Sequence, residues 1–229
     1  MTGPAQPANP ARAAGAARVA SAARILEVAT PQGPARVHVR RPRGARGLVV
    51  LGHGAGGGLG SVDLVTAIDV LDEEGWVTAL VEQPWLVAGR RIAGRPPTLD
   101  EAWVPVVRAL RRRGAPLVLG GRSAGARVAC RTAAALRAAA VLCLSFPLHP
   151  PGAPEKSRAA ELGLVTAAGL PLGVVQGDTD PFGTPGELEA YLGGEVSHLY
   201  PVRGTHTIPR GSAPAVADAV RSFIRALPR

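Results

Sequence analysis

The chain has 229 residues, of which 46% are hydrophobic and only 3% aromatic, and its formal net charge is +9. That is the length of one α/β domain, with a core filled by Val, Leu and Ala; so few rings argue against a base-stacking or aromatic-cage protein. Every basic residue except Lys156 is an arginine. The tightest cluster, Arg111-Arg112-Arg113, closes a predicted helix, where positive charge complements the helix dipole without a partner, so the charge does not call for nucleic acid or anionic lipid. Cys130 and Cys143 fall in helix and strand patterns and read as buried free thiols with no metal-ligand spacing, which points to a reducing cytoplasm and no metal or organic cofactor. No run approaches the ~18 apolar residues of a membrane span.

Residues 1–22 are Ala- and Pro-rich, interrupted by Arg12 and Arg18, and are expected to be a disordered tail; residues 23–229 are expected to form one domain. From about Ile25 the pattern becomes regular. "ARVHVR" alternates as a strand does, and "GLVVLG" is a continuous apolar run of the buried-strand kind. "SVDLVTAIDVLDEEG" has helical spacing, with Ser61 as a candidate N-cap and Gly75 as a stop. "WVTALVEQ" is a strand, and "EQPWLVAGRRIAGRPP" a loop. "TLDEAWVPVVRALRRRG" reads as a helix capped by Thr98, boxed by Glu101 and ended by Gly114. "PLVLGG", "AAVLCLSF", "LPLGVVQG" and "EVSHLYPV" are further strands, alternating with the helix patterns "SAGARVACRTAAALR", "AAELGLV" and "APAVADAVRSFIRALPR". This alternation implies an α/β fold: a mostly parallel central sheet with helices on both faces.

Between a strand pattern and a helix pattern stands Gly121-Arg122-Ser123-Ala124-Gly125. A sharp strand-to-helix turn crowds the backbone, so glycines flank the position that lifts the serine above the sheet edge. A serine hydroxyl needs a base, and the base needs a carboxylate, in the chain order Ser, acid, His. His206, in the loop "VRGTHTIPR", is the candidate base; His198 lies inside a strand pattern, and His149 precedes any acid loop. "VVQGDTDPFG" offers Asp178 and Asp180 as the acid, with Asp180 preferred because Asp178 follows a glycine directly, as a turn residue does. The glycine-rich "GHGAGGGLG" lets amides approach a substrate, so the oxyanion donors are expected at Ala124 and at Ala55, with Gly54 as the alternative. A dinucleotide loop on Gly52, Gly54 and Gly57, with Glu82 as the ribose acid, is the competing reading, but it leaves Ser123, Asp180 and His206 without a role.

Taken in order, "GHGAGG", "EQPW", "GGRSAGAR", "SFPLHPPGAPEK", "QGDTDPFG" and "GTHTI" resemble the α/β-hydrolase branch that is similar to dienelactone hydrolases, from about residue 36 to the C-terminus. The resemblance implies the α/β-hydrolase fold and a triad of Ser123, Asp180 and His206. Dienelactone hydrolases proper carry a cysteine nucleophile, so their substrate does not transfer, and the turn around His206 is less glycine-rich than in that branch. The implied reaction is cleavage of a small-molecule ester or thioester through an acyl-enzyme. The short stretch between "LSF" and "LPLGVV" leaves room for only a minimal cap. Arg122, Arg90 and Arg91 are candidates to hold an anionic part of the substrate, against surface pairing with Glu82 or Asp100; Trp85 and His149 are candidate pocket residues.

Overall fold

The computed structural model of the chain describes residues 23–56, 58–90, 93–192 and 198–228, together with Ala17. The tail expected over 1–22 therefore lies, Ala17 apart, outside the described residues, as do Gly57 and Arg91. The strands are Arg24–Val28 (β1), Ala35–Arg40 (β2), Leu48–Gly52 (β3), Val77–Glu82 (β4), Leu117–Arg122 (β5), Ala140–Leu144 (β6), Leu172–Gly177 (β7) and His198–Val202 (β8). Helices are formed by Val62–Glu73 (α1), Pro84–Val87 (α2), Pro96–Leu110 (α3), Ala124–Thr132 (α4), Ala159–Ala167 (α5), Pro185–Leu192 (α6) and Ala213–Ala226 (α7).

All eight strands form one sheet in the order β1-β2-β4-β3-β5-β6-β7-β8. β1 and β2 are antiparallel to their neighbours, and β3 to β8 run parallel. The side-chain alternation of a strand explains the continuous apolar runs. Leu48 and Val50 pack on the face covered by α3, α4 and α5, while Val49 and Leu51 pack on the face covered by α1 and α7. Because the parallel strands point one way, the loops after β3, β4, β5, β6, β7 and β8 gather at one edge of the sheet, where such folds bind ligands.

The structure corrects several details. β1, which the pattern did not single out, is an edge strand with Ile25 53% exposed, so it shows little apolar periodicity. The loop after β4 contains α2. Thr98 does not cap α3: the helix starts at Pro96, and the Thr98 hydroxyl donates to the Arg95 carbonyl, while Glu101 accepts from Gln32 Nε2 at 2.6 Å. Ser61 occupies the cap position of α1, but its hydroxyl makes no cap hydrogen bond. α3 ends at Leu110, before the arginine triplet, and Arg111 instead donates to the carbonyls of Leu136 and Arg137 after α4.

Residues 145–171, between β6 and β7, hold a three-residue 3-10 turn and α5. α5 lies against α4, clamped by a bidentate pair of Arg127 with Glu161 at 2.8 and 2.7 Å. No lid domain is inserted there. No described helix is long and apolar enough to cross a membrane.

Candidate active site

β5 runs straight into α4 through Ser123, whose φ of 51° and ψ of −112° put it in a region that side chains other than glycine avoid. Such a conformation costs about 1–3 kcal/mol and persists only where the surroundings impose it. They do so here by backbone contact. A Cβ on Gly121 would stand 2.4 Å from the Gly52 oxygen, and one on Gly125 2.3 Å from the Gly52 carbonyl carbon and oxygen. Only hydrogen fits at either position, so β3 can pack directly against the turn. The Ser123 amide donates to the Leu144 carbonyl at 3.0 Å, tying the turn to β6.

The Ser123 hydroxyl oxygen lies 3.0 Å from His206 Nε2, and His206 Nδ1 lies 2.8 Å from Asp180 Oδ2. A histidine that donates from Nδ1 to a carboxylate keeps Nε2 as an acceptor, which is the tautomer a general base needs. Asp180 is 1% exposed. Its Oδ1 accepts from the Phe182 amide at 2.9 Å, and its Oδ2 also accepts from Gln176 Nε2 at 3.0 Å. The Phe182 ring lies against His206, with centroids 4.3 Å apart. Asp178 instead accepts from the Gly204 amide at 2.9 Å and braces the loop that carries His206. His198 is a β8 residue whose ring meets Tyr200 and Phe223.

Two further buried groups fix the surrounding backbone. His53 is 3% exposed; its Nδ1 donates to the Gly54 carbonyl at 2.9 Å, and its Nε2 accepts from the Gln83 amide at 3.1 Å. Burial lowers its pKa, so the ring is neutral, as this pattern of one donor and one acceptor requires. In a trans peptide the carbonyl and the next N–H point to opposite sides, so holding the Gly54 carbonyl also sets the direction of the Ala55 N–H. Ala124 opens α4, where the first amides have no carbonyl partner inside the helix.

The second group is Asp63, near the start of α1 and 1% exposed. Its Oδ2 accepts from Arg122 Nε at 3.1 Å and from the Ser145 hydroxyl at 3.2 Å. Arg122 Nη2 donates to the carbonyl of His206. The guanidinium proposed from sequence as a substrate contact thus links the serine turn, α1 and the histidine loop. Its acid partner is neither Glu82 nor Asp100.

The other predicted residues are placed as follows. His149 is 7% exposed with both nitrogens engaged, Nδ1 by the Pro150 carbonyl and Nε2 by Glu187 at 3.1 Å, so it ties its loop to α6 rather than presenting a free ring. Trp85 lies on α2, 5.3 Å from the His53 ring, and lines a cavity whose rim carries Arg90. Glu82 is held below the usual carboxylate range, first by the hydrogen bond from His38 and then by the charge of Arg36, which engages it in β2–β4 pairing and removes the acid a dinucleotide would need. Among the described residues no cluster of three or more His, Cys, Asp or Glu side chains has the placement of a metal site.

Sequence reasoning missed Gln176, Asp63, His53 and Phe182. The available signal was polarity out of place: Gln176 is the one polar side chain in the apolar run "LGVVQG", and His53 is the one large side chain in "GHGAGG".

An α/β sheet with a serine at the strained turn after β5, and with acid and histidine on the loops after β7 and β8, defines the α/β-hydrolase class of protein. Residues 45–211 match the family model described as an alpha/beta hydrolase domain, and the chain belongs to that family. Solved structures with the same fold include a lidless α/β serine hydrolase from Xanthomonas campestris (20% identity, 90% of this chain and 96% of that one, TM-score 0.72). A dienelactone hydrolase from Anabaena variabilis is similar at 18% identity over 90% and 98% of the chains, TM-score 0.71. An esterase from Pyrococcus furiosus is similar at 14% identity over 90% and 92%, TM-score 0.68. No curated protein sequence matches this chain.

Proposed function

We propose that the protein is a serine hydrolase that cleaves a small-molecule ester or thioester. The observation that carries this reading is the unbroken relay from buried Asp180 through His206 to Ser123, at 2.8 and 3.0 Å, ending on a serine held at a positive φ. Ser123 Oγ attacks the acyl carbonyl as its proton passes to His206 Nε2, and Asp180 stabilises the imidazolium. The N–H groups of Ala124 and Ala55 receive the developing oxyanion, worth about 3–4 kcal/mol per donor where such donors have been removed. His206 then protonates the leaving group, an acyl-enzyme remains on Ser123, and a water activated by the same histidine releases the acid. The names of the neighbours, an esterase and a lactone hydrolase, favour ester over amide chemistry. On this reading residues 23–229 act as one domain in the cytoplasm, where Cys130 and Cys143, 3.5 Å apart, stay reduced.

The test is labelling of the purified protein by a fluorophosphonate probe. The wild type labels, Ser123→Ala does not, and His206→Ala labels at least about a thousandfold more slowly. A folded wild type that does not label overturns the reading and leaves a binding protein on a hydrolase fold.

A further inference from the structure

Arg122 stands directly before Ser123 in the serine turn, and its guanidinium meets three separate parts of the candidate site. Nε donates to the buried Asp63 carboxylate on α1 at 3.1 Å. Nη2 donates to the backbone carbonyl of His206, on the loop after β8. Nη1 lies against the loop after β3, where a Cβ on Gly54 would stand 2.9 Å from it and 3.4 Å from the Ser123 Cβ. The side chain is only 11% exposed, so these contacts are made largely away from water. The anchor beneath them is fully engaged: Asp63 Oδ2 also accepts from the Ser145 hydroxyl at 3.2 Å, and Oδ1 accepts from the Leu64 amide at 2.9 Å.

Backbone strain gathers at the same place. Among the described residues, those other than glycine at positive φ are Ser123, Arg137 and Ser145. Ser123 follows Arg122 in the turn, and Ser145, buried at a φ of 49°, shares the Asp63 carboxylate. Such strain persists only where the surroundings impose it, and it clusters at working sites. Charge supplies a second argument. A bare cation beside His206 would oppose the imidazolium that forms during the reaction. The carboxylate in contact with the guanidinium cancels much of that field and leaves the donors in place. A buried ion pair gains little over a well-packed apolar pair, so stability alone does not account for this one.

We propose that Arg122 is a positioning residue of the hydrolysis, an inference that rests on the Ser123 reading. Its guanidinium holds the His206 loop and the Gly54 loop against the serine turn, so that His206 Nε2 stays within reach of Ser123 Oγ as it takes and returns the proton. Arg122 itself touches no reacting atom. A base misplaced by about 1 Å costs on the order of a hundredfold in rate. Binding of a small ester does not depend on that placement, so the loss falls on kcat and not on KM.

The experiment measures kcat and KM for 4-nitrophenyl acetate, together with urea midpoints, on the wild type and four variants. These are Arg122→Met, Arg122→Met with Asp63→Asn, Arg122→Lys, and Leu71→Ala, a core substitution near the far end of α1 from Asp63. Arg122→Met is expected to lose at least about thirtyfold in kcat, with KM within about twofold. The double variant regains stability but not kcat, because the His206 carbonyl still lacks its donor. Arg122→Lys keeps the charge beside Asp63 and folds, yet it has no planar fork to serve two acceptors and should lose at least about tenfold in kcat. Leu71→Ala is destabilised but keeps the wild-type kcat, which separates stability from turnover. A kcat for Arg122→Met or Arg122→Lys within about threefold of the wild type overturns the proposal and leaves the serine chemistry intact. So does a double variant whose kcat recovers in step with its urea midpoint. A wild type that neither labels with fluorophosphonate nor turns over the ester overturns the Ser123 reading itself, and Arg122 is then a brace of the fold alone.

Discussion

On the β3–β5 side of the candidate site, backbone meets backbone: Gly52, Gly121 and Gly125 leave no volume for a side chain. On the β7–β8 side, side chains meet backbone. Gln176 accepts from the Phe146 amide and reaches the carbonyls of Phe146 and Gly183, while Asp180 accepts from Phe182 and Asp178 from Gly204. Ser123 is thus placed by steric exclusion, and Asp180 and the loop of His206 by hydrogen-bond satisfaction. Exclusion is absolute but local, whereas a hydrogen-bond network loses strength one partner at a time. Arg122 spans the two regimes, since it leaves the serine turn and ends on the carbonyl of His206.

The sharpest way to break this comparison is to remove that link. Arg122→Met leaves the buried Asp63 carboxylate without its cation, and about 3–5 kcal/mol of stability should be lost in urea unfolding. Adding Asp63→Asn should recover part of it; no recovery would mean that the loss comes from packing. Next is Gly125→Ala, expected to cost about 3 kcal/mol because its methyl would stand 2.3 Å from Gly52. Gly186→Ala, with open space around it, is the control and should be near neutral. Should Gly125→Ala match the wild type in its denaturation midpoint, exclusion does not hold the turn.

Gln176→Leu tests the other half. It strips partners from the Phe146 amide and the Gly183 carbonyl, and about 2 kcal/mol should go. Ester turnover should fall more than stability alone accounts for, because Asp180 also loses a donor. Unchanged kcat would show that Asp180 needs no such support.

The smallest effect concerns pH. Burial depresses the pKa of His53, so as pH falls below the ordinary imidazole value near 6.5 the unfolded chain takes up a proton that the folded one refuses. Stability from this source is complete above that pH and declines below it, by at most about 1.4 kcal/mol per pH unit. Melting curves at pH 7.5 and 5.5 should show a smaller drop for His53→Gln than for the wild type; equal drops would assign the effect elsewhere.

Much of this architecture was legible along the chain, because the central parallel strands β3, β5, β6 and β7 are buried along nearly their whole length and the segments that follow them carry glycine. The serine turn stood out for the same reason, as did the loops carrying Asp180 and His206. What stayed hidden depends on pairing across distance. Twenty-five arginines face only seventeen acids, and nothing local tells Arg122 that its partner is Asp63, 59 positions away, or that Ser145 shares it. β1 was invisible because an edge strand buries little, and the Thr98 cap failed because the two prolines at 96 and 97 already start the helix.

The contact of Gly52 with Gly121 and Gly125 also constrains how this sequence can change over generations. When a side chain grows in a packed core, a neighbour can usually shrink to make room. Here the neighbours are already glycine, and no smaller residue exists. A substitution at any of the three can be accommodated only by shifting β3 away from α4, which would carry His53 and Gly54 away from Ser123 at the same time. The three positions can therefore drift neither singly nor in compensating pairs, and neutral variation in this protein has to accumulate around them.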